Sequence, residues 1–151
     1  MSTSFTLSSS AFPDGGTIPA RFTCDGAGHS PPLDWHGTPG GTRAFALLVT
    51  DPDARGFVHW VATDIPGSSA GLAEGASGSG SAGNEGRNDF VGIGWGGPCP
   101  PSGVHRYVFE LFALASPLSL PGVPSAAAVR TALRDRLLGE ARLTGTYRRG
   151  A

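Results

Sequence analysis

The sequence contains no lysine, and charged residues of either sign are sparse. All 11 basic residues are arginine, 12 residues are acidic, and charged residues make up only 15% of the chain. Without lysine, Schiff-base mechanisms and P-loop nucleotide binding are excluded. The arginines form no stripe that could follow a phosphate backbone, and they cluster at Arg142, Arg148 and Arg149 alone. We therefore expect no binding to nucleic acid.

Long apolar runs are also absent. No stretch of the chain approaches the roughly 18 apolar residues of a membrane-spanning helix. The first seven residues have neither the positive charge nor the apolar segment of a secretion signal. These features predict a soluble, cytoplasmic protein without a membrane span.

Cysteine is scarce, with Cys24 and Cys99 far apart in the sequence. This spacing fits neither a C-x-x-C metal or redox pair nor a framework of several disulfides. Composition therefore favours two free, partly buried thiols. Histidine and cysteine also show no metal-ligand spacing, so we predict no metal and no cofactor.

Glycine and proline are abundant, with 24 and 13 of the 151 residues, while hydrophobic residues make up 39%. This combination indicates one folded domain, residues 1–151, with many turns. Apolar segments between turn residues predict strands at 5–9, 18–23, 43–51, 57–65, 90–95, 105–114 and 142–148. The expected fold is mostly β, an antiparallel β-sandwich with one or two short helices.

The main helix is predicted at residues 125–138. Ser125 is a suitable N-cap, Val129, Leu133 and Leu137 recur with helical spacing, and Gly139 is a suitable stop. The segment 75–86 has glycine, serine and alanine but no bulky apolar residue, which predicts a mobile loop that cannot bury surface.

Two short motifs fail in their context. G-x-G-x-x-G occurs at 78–83 and 92–97, but no helix pattern follows that could hold a pyrophosphate. G-x-S-x-G occurs at 67–71, again without the helix that a nucleophile elbow requires. We therefore predict neither a dinucleotide-binding protein nor a serine hydrolase.

Titratable side chains lie at the ends of three predicted strands. By alternation, Asp51 ends an apolar face, and His59 shares a face with Phe57, Val61 and Ile65. His105 and Tyr107 begin a third face, which continues with Phe109 and Leu111. If these ends converge, they line a small pocket with a carboxylate, two imidazoles and a phenol. Protonated imidazoles, favoured by a nearby carboxylate, donate hydrogen bonds and would suit phosphate or another small anion.

Several ordered motifs resemble the phosphatidylethanolamine-binding protein family, in its prokaryotic Raf-kinase-inhibitor-like branch. They are D-P-D-A at 51–54, F-V-H-W-V at 57–61 and G-P-C-P-P-S-G-V-H-R-Y at 97–107, with F-T-C-D-G at 22–26, S-P-P-L-D-W at 30–35 and A-R-L-T-G-T-Y at 141–147. The resemblance implies a β-sandwich whose cavity takes phosphate, acetate or cacodylate-like ions and phospholipid head groups in relatives. By motif position its ligand-binding residues would be Asp51, Asp53, His59, Gly97, Pro98, His105 and Tyr107, with Asp53 in a supporting role.

The same resemblance places Cys24 and Cys99 in loops that flank the pocket. A disulfide under oxidation is therefore an alternative to two free thiols. Relatives also make a homodimer an expectation.

Three functions follow as hypotheses. The favoured one is a soluble binding protein for a small anionic or phosphorylated ligand. The alternative is a small-molecule enzyme of isomerase, dehydratase or cyclase type, with His59, His105 and Asp51 as catalytic acid–base groups. A kinase or protease inhibitor is a further alternative, and it rests on the resemblance alone.

Overall fold

The computed structural model describes residues 4–149, so the first three residues of the segment tested for a secretion signal lie outside it. Within this range the chain forms eight strands, one α-helix and two single-turn 3₁₀ helices. The strands are β1 (Thr6–Ser8), β2 (Leu33–His36), β3 (Ala44–Asp51), β4 (Phe57–Pro66), β5 (Gly71–Leu72), β6 (Asn84–Glu85), β7 (Val104–Leu114) and β8 (Leu137–Arg148). The helix α1 spans Ala126–Leu133, and the 3₁₀ turns span Ala20–Phe22 and Pro52–Ala54.

The strands form two antiparallel sheets that pack face to face. The smaller sheet has the order β1-β2-β5, and the larger has the order β6-β4-β3-β7-β8. Trp35 and Leu33 of the small sheet share a core with Phe45, Leu47 and Phe109 of the large sheet. The predicted antiparallel β-sandwich is therefore confirmed.

A second core lies on the outer face of the large sheet. There Val129 and Leu133 of α1 pack with Leu48, Val61 and Phe112. Strand β3 is consequently covered on both faces, which explains why its sequence is an almost continuous apolar run rather than an alternating one.

The helix predicted for residues 125–138 forms, but it is shorter. The Ser125 hydroxyl accepts a hydrogen bond from the Ala128 N–H, as expected for an N-cap. The helix then ends at Leu133, and Leu137 begins β8 with 41% of its surface exposed. The helical prediction was wrong from this point because β8 pairs with β7 from Leu114 onward, and Gly139 lies inside that strand.

Two predicted strands are absent from the described residues. In 18–23, Pro19 precedes a 3₁₀ turn. In 90–95, the amide group of Asn88 closes a loop through hydrogen bonds to Phe90, Gly92 and Gly94. Strands β2, β5 and β6 were missed because segments of two to four residues carry little periodicity.

The glycine- and serine-rich segment 75–86 does bury surface. Ala76 and Ala82 are 3% and 0% exposed and belong to the core between the sheets. The Glu85 carboxylate also accepts hydrogen bonds from Ser77 and Gly78. The expectation that this segment could not contribute to the core was therefore wrong, because alanine is large enough to fill a gap beneath a tightly turned loop.

Candidate functional site

The polar residues at the strand ends meet in one cavity. Strand β3 lies between β4 and β7 and is antiparallel to both, so its last residue adjoins the first residues of its neighbours. This arrangement brings together Asp51, His59, His105 and Tyr107, which line a cavity of about 130 Å³.

His59 reaches the cavity through an irregularity in β4. The register between β3 and β4 shifts by one residue at His59, which is a β-bulge. As a result Trp60 belongs to the core between the sheets, while Val61 packs in the second core beside α1. The prediction that Val61 shares a face with His59 was therefore wrong, since strict alternation does not hold across a bulge.

Asp51 orients His105. Its Oδ2 lies 2.5 Å from Nδ1 of His105, and its Oδ1 accepts the Asp53 N–H at 2.8 Å. Both carboxylate oxygens of Asp51 are therefore committed to protein partners, and the side chain is buried, with 2% of the residue exposed. The contact leaves Nε2 of His105 as the ring nitrogen available to a ligand.

His59 is held by a backbone carbonyl. Its Nδ1 lies 2.6 Å from the Gly96 oxygen, and because a carbonyl only accepts, Nδ1 carries the proton. The ring centroid lies 5.0 Å from those of Phe57 and Tyr107 and 5.3 Å from that of Phe90. Burial in this aromatic setting lowers the pKa of His59. That direction opposes the protonated imidazole expected from the sequence.

Tyr107 adds a hydroxyl to the site. Burial raises the pKa of Tyr107, and the nearby Asp51 and Asp53 carboxylates act in the same direction. Tyr107 therefore keeps its proton and can donate a hydrogen bond. Within residues 4–149 its hydroxyl has no hydrogen-bond partner, which leaves it available to a ligand.

The cavity walls are mostly apolar and consist of Ala54, Phe57, Phe90, Cys99, Pro100 and Pro101. The sequence placed Phe57 on the face of His59 and Cys99 in a loop beside the pocket, but it did not select the other four. Phe90 stands at the mouth with 46% of its surface exposed. A second depression of about 360 Å³ adjoins the cavity and shares Phe90 and Cys99 with it. The proline pair of the 97–107 motif was the available signal for one wall.

Cys99 forms a disulfide with Cys24. The expectation of two free thiols was therefore wrong, and the alternative drawn from the resemblance agrees with the structure. The bond joins the loop that carries Pro100 and Pro101 to the segment after the 3₁₀ turn Ala20–Phe22. One wall of the cavity is thus covalently attached to the edge of the sandwich.

Asp53 does not line the cavity. It accepts hydrogen bonds from the backbone N–H and the guanidinium of Arg106, at 2.9 to 3.0 Å. The Arg106 hydrogen bonds lower the pKa of Asp53 to about 2. The pair fastens the 51–54 turn to β7, so Asp53 supports the residues on either side of it.

Gly97 and Pro98 also do not line the cavity, although Gly97 lines the adjoining depression. A Cβ at Gly97 would lie 2.5 Å from the Phe22 oxygen, so glycine permits the close approach of the two loops. Pro98 is buried, and its carbonyl accepts the Cys24 N–H at 3.1 Å. Both residues position the disulfide-linked loop.

Residues 4–149 contain neither a cluster of candidate metal ligands nor a membrane-spanning helix. No group of three or more histidine, cysteine or acidic side chains is arranged to hold a metal ion. No helix in this range is long and apolar enough to cross a membrane.

Fold and site together define an antiparallel β-sandwich with a small cavity at the ends of its central strands. The family model described as phosphatidylethanolamine-binding protein matches residues 8–148. A UPF0098 protein of Methanothermobacter thermautotrophicus is 47% identical over 149 residues, covering 95% of this chain and 99% of the relative. LppC of Mycobacterium tuberculosis, named as a lipoprotein, is 40% identical over 94% of this chain and 71% of its own length.

Solved structures agree with the sequence comparison. The phosphatidylethanolamine-binding protein homolog CT736 of Chlamydia trachomatis superposes with a TM-score of 0.91 at 32% identity, covering 97% of this chain and 99% of that chain. E. coli YbcL, described as a member of the mammalian PEBP family, has a TM-score of 0.87 at 31% identity, covering 98% and 100%. The chain belongs to the phosphatidylethanolamine-binding protein family.

Proposed function

We propose that this protein binds a small anionic ligand that contains a phosphate group, in the cavity lined by His59, His105 and Tyr107. The observation that carries the proposal is the convergence of these three side chains, two of them fastened through Nδ1, in an apolar-walled cavity. Each retains one polar atom for a ligand. Small-molecule sites commonly combine apolar walls with a few convergent polar groups.

The size of the cavity supports a small ligand. Its volume of about 130 Å³ is far below the roughly 300–1,000 Å³ of drug-sized sites. A protein cavity of roughly 150 Å³ accepts a molecule of the size of benzene. Phosphate or the phosphate end of phosphoethanolamine is of this order. The family name points to the same chemistry, which free phosphate, a phosphomonoester or a lipid head group could supply.

The test is an NMR titration with inorganic phosphate and phosphoethanolamine that follows the histidine ring signals. We expect saturable shifts at His59 and His105 in the wild type and loss of binding in His59→Ala and His105→Ala. His36→Ala is the matched control, because His36 is exposed on β2 of the other sheet. Absence of any shift at millimolar concentrations of both compounds would refute the proposal.

General acid–base catalysis is a second candidate. The specific observation in its favour is the hydrogen bond from Nδ1 of His105 to Asp51, which orients an imidazole for proton transfer. Under this hypothesis His105→Ala loses turnover of a small-molecule substrate while the protein keeps its fold. Binding without turnover across candidate substrates favours the binding protein.

A homodimer and a cytoplasmic location remain predictions. Light scattering of the purified protein tests the first. For the second, the Cys24–Cys99 disulfide is a feature that favours an oxidising compartment. Trapping the thiols with an alkylating reagent in intact cells decides the matter, since a cytoplasmic protein should be recovered with both cysteines alkylated.

A further inference from the structure

The orientation of the His59 ring determines which of its nitrogens meets a ligand. Nδ1 is committed as a donor to the Gly96 carbonyl at 2.6 Å. The ring is enclosed by Phe57, Phe90 and Tyr107, the last at an interplanar angle of 86°. Rotation of the ring would break the hydrogen bond to Gly96 inside a 3% exposed site. Only Nε2 is therefore offered to the cavity.

The charges around His59 indicate what Nε2 offers. Burial is the largest effect on His59 and lowers its pKa, and the neighbouring His105 acts in the same direction. The hydrogen bond to Gly96 and the Asp51 and Asp89 carboxylates favour the protonated ring, but they do not offset burial. At neutral pH the ring is accordingly uncharged. With the proton on Nδ1, Nε2 carries a lone pair and accepts a hydrogen bond.

No arginine side chain among the lining residues described within 4–149 supplies the positive charge that His59 lacks. None of the lining residues found within 4–149 is an arginine, and the lining includes the Asp51 carboxylate. Arg106 lies between His105 and Tyr107 in sequence, on the opposite face of β7, and is paired with Asp53. Arg55 is exposed beside the lining residue Ala54. A fully ionised dianion would therefore direct an oxygen at the lone pair of Nε2.

We propose that the cavity selects oxyanions that carry a proton of their own, with the P–OH group donating to Nε2 of His59 and the Tyr107 hydroxyl donating to another oxygen. The ligand class is inorganic phosphate and phosphomonoesters in their monoanionic form. Phosphodiesters, including the phosphate of an intact phospholipid, and sulfate are disfavoured because they have no such proton at neutral pH. This inference rests on the proposed function, that the cavity binds a phosphate group.

The chemistry of the ligand makes this selection feasible. The second pKa of a phosphomonoester is about 6, so roughly one molecule in ten holds the required proton at pH 7. Affinity should then fall about tenfold for each pH unit above 7, as the ligand loses that proton. His105 and Tyr107 remain available to the other ligand oxygens.

The experiment is calorimetric titration of the full chain at pH 7 with four probes. Inorganic phosphate is compared with sulfate, and phosphoethanolamine is compared with the diester glycerophosphoethanolamine. We expect the proton-bearing member of each pair to bind at least about tenfold more tightly, since a buried acceptor that faces an anion without a donor is costly. ¹⁵N NMR of the free protein should show His59 with Nδ1 protonated and Nε2 unprotonated.

A variant tests the role of His59 in the selection. His59→Gln places an amide near the position of Nε2, and its N–H can donate to sulfate. The phosphate-to-sulfate affinity ratio should therefore fall towards one. His36→Ala is the control, because His36 is exposed on β2 of the other sheet and its loss should leave the ratio unchanged. A substitution that only loosens the site would lower the affinities for phosphate and for sulfate together and would leave their ratio unchanged.

Each outcome has a distinct meaning. Equal binding of phosphate and sulfate by the wild type overturns the selection but leaves the proposed function standing. No binding of any probe overturns both. An unchanged ratio in folded His59→Gln, or a wild-type His59 protonated on Nε2 in the free state, overturns the role of this histidine. The wild-type measurements stand even if the variant does not fold.

Discussion

Breaking the Cys24–Cys99 bond should lower both stability and ligand affinity. The two cysteines are 75 positions apart, so the bond closes a large loop in the unfolded chain. The chain-entropy relation gives about 4.5 kcal/mol at 25 °C for a loop of this length. Measured effects of native disulfides are typically about 2–4 kcal/mol, because unfolded chains retain structure. We expect a loss within that lower range.

The assay is urea denaturation of the wild type with and without reductant, beside the double variant Cys24→Ser/Cys99→Ser. The reduced wild type and the double variant should have the same lowered free energy of unfolding. For a domain of this size the melting temperature should fall by roughly 5–15 °C. Phosphate affinity should fall in the same samples, because Cys99 and the prolines after it form one wall of the cavity.

The double variant also supplies the control, since reductant should leave its stability unchanged. Two results would contradict the reasoning. One is a thiol titration of the denatured, unreduced protein that finds two free thiols. The other is equal stability of the oxidised and reduced wild type with the disulfide shown to be intact in the former.

Further predictions concern packing, capping and titration. Leu133→Ala should lower the free energy of unfolding by about 2–4 kcal/mol, because it empties the α1–sheet contact; a change under 1 kcal/mol would show that α1 is dispensable. Ser125→Ala should lower it by about 1 kcal/mol in urea denaturation, with recovery in Ser125→Asp. The Asp53 carboxyl should titrate in NMR near pH 2. Its contribution to stability should be present above about pH 4 and lost as pH falls through 2. A titration midpoint at the ordinary pKa of aspartate would argue against the ion pair with Arg106. The pKa of His59 is lower in the folded protein than in the unfolded chain, so the free energy of unfolding should decrease as pH falls below 6.5. The decrease in the wild type should exceed the decrease in His59→Gln by up to about 1.4 kcal/mol per pH unit.

Much of this protein could be predicted from local sequence. Alternation in β7 placed Tyr107, Phe109 and Leu111 on one face, and the structure buries all three in the core between the sheets. Turn residues between apolar segments indicated the β-sandwich. Asp51, His59 and His105 were selected as residues at or near strand ends, and these ends do meet. Such features depend on period-two geometry and turn chemistry, which act over a few residues.

The tertiary structure decided what depends on distant parts of the chain. Helix α1 ends at Leu133 because β8 must pair with β7, a constraint that helical spacing cannot express. The bulge at His59 separates Val61 from the face that alternation assigned to it. Cys24 and Cys99 pair because Gly97 lets two loops approach closely.

The protonation of the site was also decided by the tertiary structure. Sequence showed two histidines near carboxylates and indicated protonated rings. Burial of His59 among aromatic rings instead favours the uncharged ring, and the hydrogen bond from Nδ1 to Gly96 leaves Nε2 as the acceptor. The sequence by itself thus determined which side chains lie at the end of the sandwich. Only packing decided their charge and the atoms that they offer, because desolvation is a property of the assembled fold.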